Sequence, residues 1–405
     1  MKFIEGGVCA AKGFKASGLH VGVKTKNKEK KDLALIVADS DCTAAAVYTK
    51  NLVKAAPLHI TKENLKDGKA RVVFANSGNA NACAPLGEEN ARRMCSTMAK
   101  ALGINEKDVL VASTGVIGQT LPVEIVESGI SNLISNLSYD GSKDAAAAIM
   151  TTDLTMKELA IETTIGGKTI KIGGIAKGSG MIHPNMGTML AFVTTDCAIS
   201  SKMIQKALID ATNKSFNRIS VDGDTSTNDI LTLMANGLAE NKEITEQNAD
   251  YKAFSEALNT LCIELAKMIA ADGEGATHLI ACNVKNAKTE NDAETISKSV
   301  ISSTLLKAAI FGTDANWGRV LCAMGYSGVE FDPETVNIAF ESKAGRINVC
   351  ENGRGLPFSE AKAKEILTEH DITIDINLNA GSSECTCWGC DITYDYIKIN
   401  GDYRS

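Results

Sequence analysis

A glycine-containing turn that runs directly into an apolar segment has the clearest chemical potential in this chain. The turn ends at Gly187, and after Thr188 the apolar residues 189–193 predict a buried strand. If the peptide bond between Gly187 and Thr188 were cut, Thr188 would carry a hydroxyl nucleophile and a free α-amine on one residue. An α-amine has an ordinary pKa of about 7.7–8.0 and can take the hydroxyl proton near neutral pH. Gly-Thr before a strand is more often only a turn, so these residues alone leave cleavage open.

Three further positions combine a polar group with a turn of small residues. Thr114 and Gly115 follow the apolar residues 109–112, where a hydroxyl and a backbone N–H can face a developing oxyanion. Lys177 opens a Gly-Ser-Gly turn and can pair with a substrate carboxylate. Glu274 stands between two glycines and can hold an ammonium group, or it can simply belong to a helix C-cap. Each of these residues also has an ordinary interpretation as part of a loop.

Two segments look like metal or redox sites at first, and we predict neither chemistry for them. Residues 221–229 have the acids of a calcium loop, but the EF-hand spacing fails and no glutamate closes the loop at its twelfth position. Residues 385–390 contain three cysteines, two of them in a CxxC pair, yet no second pair supplies the remaining tetrahedral ligands. We therefore expect no metal site, structural thiols at Cys385, Cys387 and Cys390, and a structural turn at 221–229 that can lie near the active site.

A set of long motifs runs in order along essentially the whole chain. They are ANSGNANA at 75–82, STGVIG at 113–118, MTTD at 150–153, KGSGMIHPNMGTMLAF at 177–192, NRISVDGDTSTND at 217–229, DGEGATH at 272–278, FGTDANWGR at 311–319 and WGCDITYDYIKINGDYRS at 388–405. Together these motifs resemble the ornithine acetyltransferase family, the bifunctional glutamate N-acetyltransferases of arginine biosynthesis. Residues 177–192 resemble the self-processing site of that family.

The resemblance assigns roles to particular residues. It implies that the chain is cut between Gly187 and Thr188 and that Thr188 is the nucleophile, although the family commonly has alanine where this chain has Gly187. Glycine permits the strained geometry that an N-to-O acyl shift needs, so we expect processing to survive. Which of Thr151 and Thr152 contacts substrate stays open, and Ser405 keeps the hydroxyl of the family's usual threonine. The implied residues are an oxyanion hole of Thr114 and Gly115, and substrate-binding residues Thr151, Thr152, Lys177, Thr188, Glu274, Asn400 and Ser405.

The implied reaction is a ping-pong acetyl transfer. N2-acetyl-L-ornithine would acylate Thr188, L-ornithine would leave, and L-glutamate would take the acetyl group. Because an amide is exchanged through an ester, no metal or redox cofactor is needed. Some family members also accept acetyl-CoA as donor, and the sequence leaves open whether this protein does. The resemblance further implies that the two fragments associate as a heterotetramer of two α and two β chains.

Two other functions stay open at this point. Self-processing aminopeptidases have a related fold and the same nucleophile chemistry, with water in place of glutamate. The match at Lys177, Glu274 and the C-terminal tail favours the transferase over such a hydrolase. A binding protein that never cleaves itself is the third hypothesis, and a denaturing gel would discriminate it.

The hydrophobic pattern predicts a mixed α/β protein, and the resemblance implies a two-domain, self-processing N-terminal-nucleophile fold with mixed sheets and helices. Cleavage would divide the chain into an N-terminal α/β domain, residues 1–187, and a C-terminal α/β domain, residues 188–405. The local predictions that matter below are a hairpin at 166–167, a long helix over 249–271, a single helix over 294–311 and a last strand over 392–399.

Composition argues against several functional classes. The net charge of −7 argues against a nucleic-acid-binding surface. No apolar stretch reaches the roughly 18 residues that a membrane-spanning helix needs, and Glu5 interrupts the place where a secretory signal would continue. We therefore expect a cytoplasmic protein whose ligands are small molecules and whose partners include neither nucleic acid nor membrane.

Overall fold

The computed structural model describes residues 1–24, 29–183 and 189–401. These residues form sixteen β-strands and eleven α-helices, which confirms the predicted mixed α/β class. In chain order the strands are β1 (Lys2–Ile4), β2 (Phe14–Leu19), β3 (Leu33–Tyr48), β4 (Lys69–Asn79), β5 (Val109–Val116), β6 (Lys157–Ile165), β7 (Lys168–Lys177), β8 (Leu190–Thr195), β9 (Ile219–Ser220), β10 (Ile230–Ala235), β11 (Leu279–Ala287), β12 (Asn337–Ser342), β13 (Gly345–Glu351), β14 (Arg354–Gly355), β15 (Asp371–Asn377) and β16 (Ser383–Cys390). The helices are α1 (Ala56–Asn64), α2 (Gly87–Leu102), α3 (Val123–Ser135), α4 (Ser142–Ile149), α5 (Ser201–Lys214), α6 (Ala249–Ala271), α7 (Glu290–Ile301), α8 (Thr304–Phe311), α9 (Trp317–Gly325), α10 (Glu360–Leu367) and α11 (Tyr394–Asn400).

The first sheet has nine strands in the order β1-β6-β7-β8-β10-β3-β4-β5, with β2 paired to β3. Strand β8 runs antiparallel to β7 and parallel to β10, and β4 runs parallel to β5. Both β8 and β10 follow residue 188, yet they lie between strands that precede residue 187. This sheet is therefore built from both of the segments that cleavage would produce.

Helices cover both faces of the first sheet. On one face α5 and α6 pack against β3, β6 and β7, and Val193 of β8 lies in the same hydrophobic cluster as Leu265 of α6. On the other face α4 packs against β2 and β3, and Phe192 lies in the same cluster as Ile149 of α4. Helices α2 and α3 pack against β5 and β3 in a separate cluster, which contains Leu35 of β3. Every residue of β8 and β10 is buried, as expected for apolar strands that are covered on both faces.

The second sheet has seven strands in the order β14-β13-β12-β15-β11-β16-β9. Helix α6 packs between the sheets, because it contacts β6 and β7 on one side and β11 and β16 on the other. Helices α7 and α10 pack against the second sheet at β11, β16 and β12. None of the helices within the described ranges has the length and apolar character needed to cross a membrane.

The hairpin at Gly166–Gly167 and the helix over 249–271 are confirmed. The prediction of a single helix over 294–311 is wrong, because the segment contains the end of α7 and all of α8. The break lies at Ser303, whose hydroxyl accepts a hydrogen bond from the Leu306 N–H and so starts a new helix. A local capping signal therefore outweighed the continuous apolar pattern.

The prediction of a last strand over 392–399 is also wrong, because residues 394–400 form helix α11. The Thr393 hydroxyl caps this helix by accepting a hydrogen bond from the Asp395 N–H, and it donates one to the Gly275 carbonyl. The last strand, β16, comes earlier and contains the three clustered cysteines. Alternation along the strand places Cys387 and Cys390 on opposite faces, in different hydrophobic clusters, so these thiols are buried as separate packing groups.

Candidate active site

A pocket with about 710 Å³ of empty space, part of it open to solvent, lies at one end of the central strands of the first sheet. Met189, Leu190 and Asp229 contribute to its wall. The wall also contains all seven predicted site residues that the structure describes: Thr114, Gly115, Thr151, Thr152, Lys177, Glu274 and Asn400. The other predicted residues, Gly187, Thr188 and Ser405, lie outside the described residues. The structure brings the seven residues together, while their individual roles stay predictions.

Strand pairing explains why distant parts of the sequence meet at this pocket. Lys177, the last residue of β7, pairs with Leu190, the first residue of β8, and Leu190 pairs on its other side with Ile230. Consequently Lys177, Met189 and Asp229 lie at the same end of three adjacent strands. Leu190, two residues after Thr188 in the sequence, is therefore paired with a neighbouring strand on each side.

The turn at Thr114 and Gly115 depends on a close approach between two strands. Gly115 pairs with Gly78 of β4 and has a φ of +132°, a conformation that favours glycine. A Cβ atom at position 115 would collide with the Gly78 backbone. Thr114 is half-buried, and its hydroxyl has no hydrogen-bond partner among the described residues. The hydroxyl is thus available to a ligand in the pocket.

Lys177 supplies a buried cation to the pocket wall. Only 7% of the residue is exposed, and its ammonium nitrogen lies 3.9 Å from Oδ2 of Asp153, beyond hydrogen-bond distance. Burial lowers the pKa of Lys177, and the nearby Asp153 carboxylate opposes that shift. Asp153, Glu274 and Asp229 all attract this ammonium, but none of these described acids makes a short ion pair with it, so it can accept a carboxylate ligand.

Glu274 supplies an anion to the same pocket. Its Oε2 accepts a 2.7 Å hydrogen bond from Nδ2 of Asn400 on α11, and its backbone N–H donates to the Ser179 carbonyl. Gly180 packs so closely against the Glu274 carboxylate that a Cβ atom there would collide with it. The acid is therefore fixed by the turn after β7 and by the C-terminal helix, and it can receive an ammonium group.

The threonine pair at 151–152 is held by the acid that follows it. Oδ2 of Asp153 accepts a 2.9 Å hydrogen bond from the Thr151 N–H, and Oδ1 accepts one of 2.6 Å from the Gly178 N–H. Burial alone would favour the neutral acid, but Lys177 and Lys157, together with these hydrogen bonds, hold the pKa of Asp153 below its usual range. Both threonines line the pocket, so the choice between them stays open.

Sequence reasoning missed the role of Asn228. Residues 221–229 were predicted to be a structural turn that can lie near the site, with no role for Asn228. Asn228 lines the pocket, and its Nδ2 donates hydrogen bonds of 2.6 Å to the Ala80 carbonyl and 2.7 Å to the Ser113 carbonyl. This amide ties the start of β10 to the end of β5, next to Thr114. The available signal was an Asn-Asp pair standing directly before an apolar strand.

Asp229 is a second residue that sequence reasoning missed. The residue is 1% exposed and lines the pocket, and neither carboxylate oxygen makes a hydrogen bond of good geometry to a described residue. Burial raises the pKa of Asp229 well above its ordinary value, although the Thr49 hydroxyl, the Met189 N–H and Lys177 counteract part of that effect. A buried acid without a well-formed partner is uncommon and is typical of functional sites.

Replacing Asn228 by alanine should loosen the pocket, because two buried carbonyls would lose their donor. We expect the free energy of unfolding to fall by about 1–3 kcal/mol for each unsatisfied group, measured by chemical denaturation. Amide hydrogen exchange at the end of β5 should accelerate. Asn241→Ala is the matched control, since its buried Nδ2 also donates to two carbonyls but lies outside the pocket. Equal exchange at β5 in both variants would contradict the assigned role.

Comparison with known proteins gives a consistent result. The ArgJ family model matches residues 15–405. Two relatives named arginine biosynthesis bifunctional protein ArgJ, from Caldanaerobacter subterraneus subsp. tengcongensis and from Symbiobacterium thermophilum, are each 50% identical over 406 aligned residues, covering 100% of this chain and 100% of theirs. A solved ArgJ chain from Bacillus halodurans is 47% identical, with a TM-score of 0.50, over 52% of this chain and 98% of that chain. These matches confirm the resemblance seen in the sequence motifs, and the chain belongs to the ArgJ family.

Proposed function

We propose that this protein transfers the acetyl group of N2-acetyl-L-ornithine to L-glutamate through an acetyl ester on Thr188. The observation that carries the proposal is the pairing of a buried cation, Lys177, with a buried acid, Glu274, in one pocket beside the start of β8. The names of the relatives place those proteins in arginine biosynthesis, which supports the same substrates.

The charged wall of the pocket fits both substrates. Each carries an α-carboxylate, and Lys177 is the cation that receives it. Acetylornithine also carries a side-chain ammonium, for which the Glu274 carboxylate, held by Asn400, is the acceptor. Glutamate has no such ammonium, so the two substrates should depend on Glu274 to different degrees.

The chemistry needs only groups of the protein and its substrates. The Thr188 hydroxyl oxygen bonds to the acetyl carbonyl carbon, the amide C–N bond breaks, and the hydroxyl proton passes through the α-amine to the departing ornithine amine. The glutamate amine then attacks the ester, and its proton returns to Thr188. Thr114 and Gly115 lie in the pocket to stabilise the oxyanion of each step.

Self-cleavage between Gly187 and Thr188 belongs to the proposal. The Bacillus halodurans chain supports it, because 98% of that chain aligns with 52% of this one, a share close to that of residues 188–405. The sheet would hold the fragments together after the cut, since β8 and β10 of the second fragment pair with β7 and β3 of the first. Two such pairs would form the proposed heterotetramer.

A second donor, acetyl-CoA, is included in the proposal because the relatives are named bifunctional. Glutamate N-acetyltransferase activity would then be accompanied by amino-acid N-acetyltransferase activity. The wild-type protein should convert acetylornithine plus glutamate into ornithine plus acetylglutamate, and acetyl-CoA plus glutamate tests the second activity separately. Free acetate as the main product, with glutamate present, would favour a hydrolase.

Cleavage can be tested without substrate. Denaturing mass spectrometry of the purified wild type should show two fragments that separate between residues 187 and 188, and no intact chain of 42.8 kDa. Thr188→Ala should remain intact and inactive, because cleavage and transfer both need the hydroxyl. A stable, uncut wild-type chain with full transferase activity would contradict the mechanism.

Substitutions at the two charged residues should affect the two substrates differently. Glu274→Gln should lower kcat/KM for acetylornithine by about 30-fold or more, the usual effect of losing a buried charge partner, with a smaller effect on glutamate. Lys177→Met should impair both substrates. Glu264→Gln, at a surface ion pair with Lys267, is the matched control and should change neither. Equal losses for both substrates in Glu274→Gln would refute the ammonium-binding role.

A further inference from the structure

Lys157 is a buried lysine beneath the pocket that has no part in the chemistry above. It begins strand β6, and its side chain is fully buried. Its ammonium donates hydrogen bonds of 2.8 Å to Oδ1 of Asp153, 2.6 Å to Oδ2 of Asp272 and 3.1 Å to the Thr155 carbonyl. An ammonium group has three donors, so every donor of Lys157 is used.

The two acids that Lys157 joins belong to different segments of the pocket wall. Asp153 accepts hydrogen bonds from the backbone N–H groups of Thr151 and of Gly178, the residue after Lys177. Asp272 stands two residues before Glu274 in the chain. Its backbone carbonyl accepts a 2.6 Å hydrogen bond from the Ser179 hydroxyl, two residues after Lys177. One ammonium thus connects the segments that carry Thr151, Lys177 and Glu274.

The charges of this group balance. Asp153 and Asp272 supply two negative charges, and Lys157 and Lys177 supply two positive ones. Lys157 contacts Asp153 at 2.8 Å, whereas Lys177 lies 3.9 Å from the other oxygen of the same acid. Because Lys157 neutralises the acids at short range, the Lys177 ammonium is not drawn into a hydrogen bond with Asp153. Without Lys157 the group would carry a net negative charge next to a site for anionic ligands.

We propose that Lys157 is a positioning residue for substrate binding: its ammonium neutralises Asp153 and Asp272, and so keeps Lys177 available for the α-carboxylate of both substrates. The inference rests on the proposed function, in which Lys177 receives that carboxylate. Lys157 itself does not contact the ligand. Its effect passes through Lys177 and through the fixed separation of the three wall segments.

The test compares Lys157→Met with wild type in steady-state assays of both substrates. We expect KM for acetylornithine and for glutamate to rise by about 30-fold or more, with kcat changed less than about threefold, because the loss concerns binding of the carboxylate. Lys307→Met is the matched control: Lys307 is also buried and hydrogen-bonded, through the Cys390 carbonyl, but lies outside the pocket wall. It should lose comparable stability with both KM values unchanged.

A second variant, Asp272→Asn, removes a negative charge from the same group instead of a positive one and keeps the shape of the side chain. Asp272→Asn leaves the group with a net positive charge, so both KM values should stay the same or fall. A rise of both KM values in Asp272→Asn, or unchanged KM values in a folded Lys157→Met protein, would overturn the proposal. If Lys157→Met does not fold, the Asp272→Asn result decides. A wild-type protein that fails to transfer acetyl from acetylornithine to glutamate would instead refute the proposed function.

Discussion

The pairing of Leu190 with both of its neighbours is the constraint on which the site depends. Leu190 pairs with Lys177 of β7 on one side and with Ile230 of β10 on the other, and all six residues of its strand β8 are buried. A slip of one residue in this register would turn every side chain of β8 to the opposite face, into the wrong hydrophobic cluster. The buried register therefore fixes where the chain after Thr188 enters the sheet, and with it the end of the sheet where the pocket forms.

The pocket is built at an energetic cost. It contains a buried lysine with a distant partner, a buried aspartate without a well-formed hydrogen bond to any described residue, and a glutamate enclosed by a glycine turn. Buried charges are expensive unless they are paired and hydrogen-bonded. Below the pocket, Asp153, Lys157 and Asp272 meet this condition, because their charges are paired through hydrogen bonds. Lys177 and Asp229 are left with capacity to interact, as expected for a preorganised ligand site.

Much of the fold followed from local patterns, and the errors have local causes. The hairpin at 166–167 and the long helix α6 were predictable because glycine turns and apolar periodicity act within a few residues. The predictions of a single helix over 294–311 and of a strand over 392–399 rested on apolar content. Both were wrong because one capping residue, Ser303 or Thr393, starts a new helix there. A cap depends on one side chain and one N–H, so a pattern averaged over many residues does not register it.

The candidate site was predictable where a motif carried it, and less so where geometry did. Seven residues named from the family resemblance line one pocket. Asn228 and Lys157 were not predicted, because their roles arise from contacts between strands far apart in sequence, such as the bonds from Asn228 to Ala80 and Ser113. No local pattern records such contacts. The motifs identified the residues expected to contact substrate, whereas the residues that position them became visible only in the strand pairing of the folded chain.

The central claim is that the acetyl group is carried on Thr188. The most direct measurement is to mix the cleaved wild-type protein with acetylornithine alone, quench in acid, and measure the mass of the fragment that begins at residue 188. The account predicts a gain of one acetyl group, mapped to Thr188 by peptide sequencing and lost when glutamate is added. An acetyl group found on a different residue, or turnover without any acetylated fragment, would contradict it.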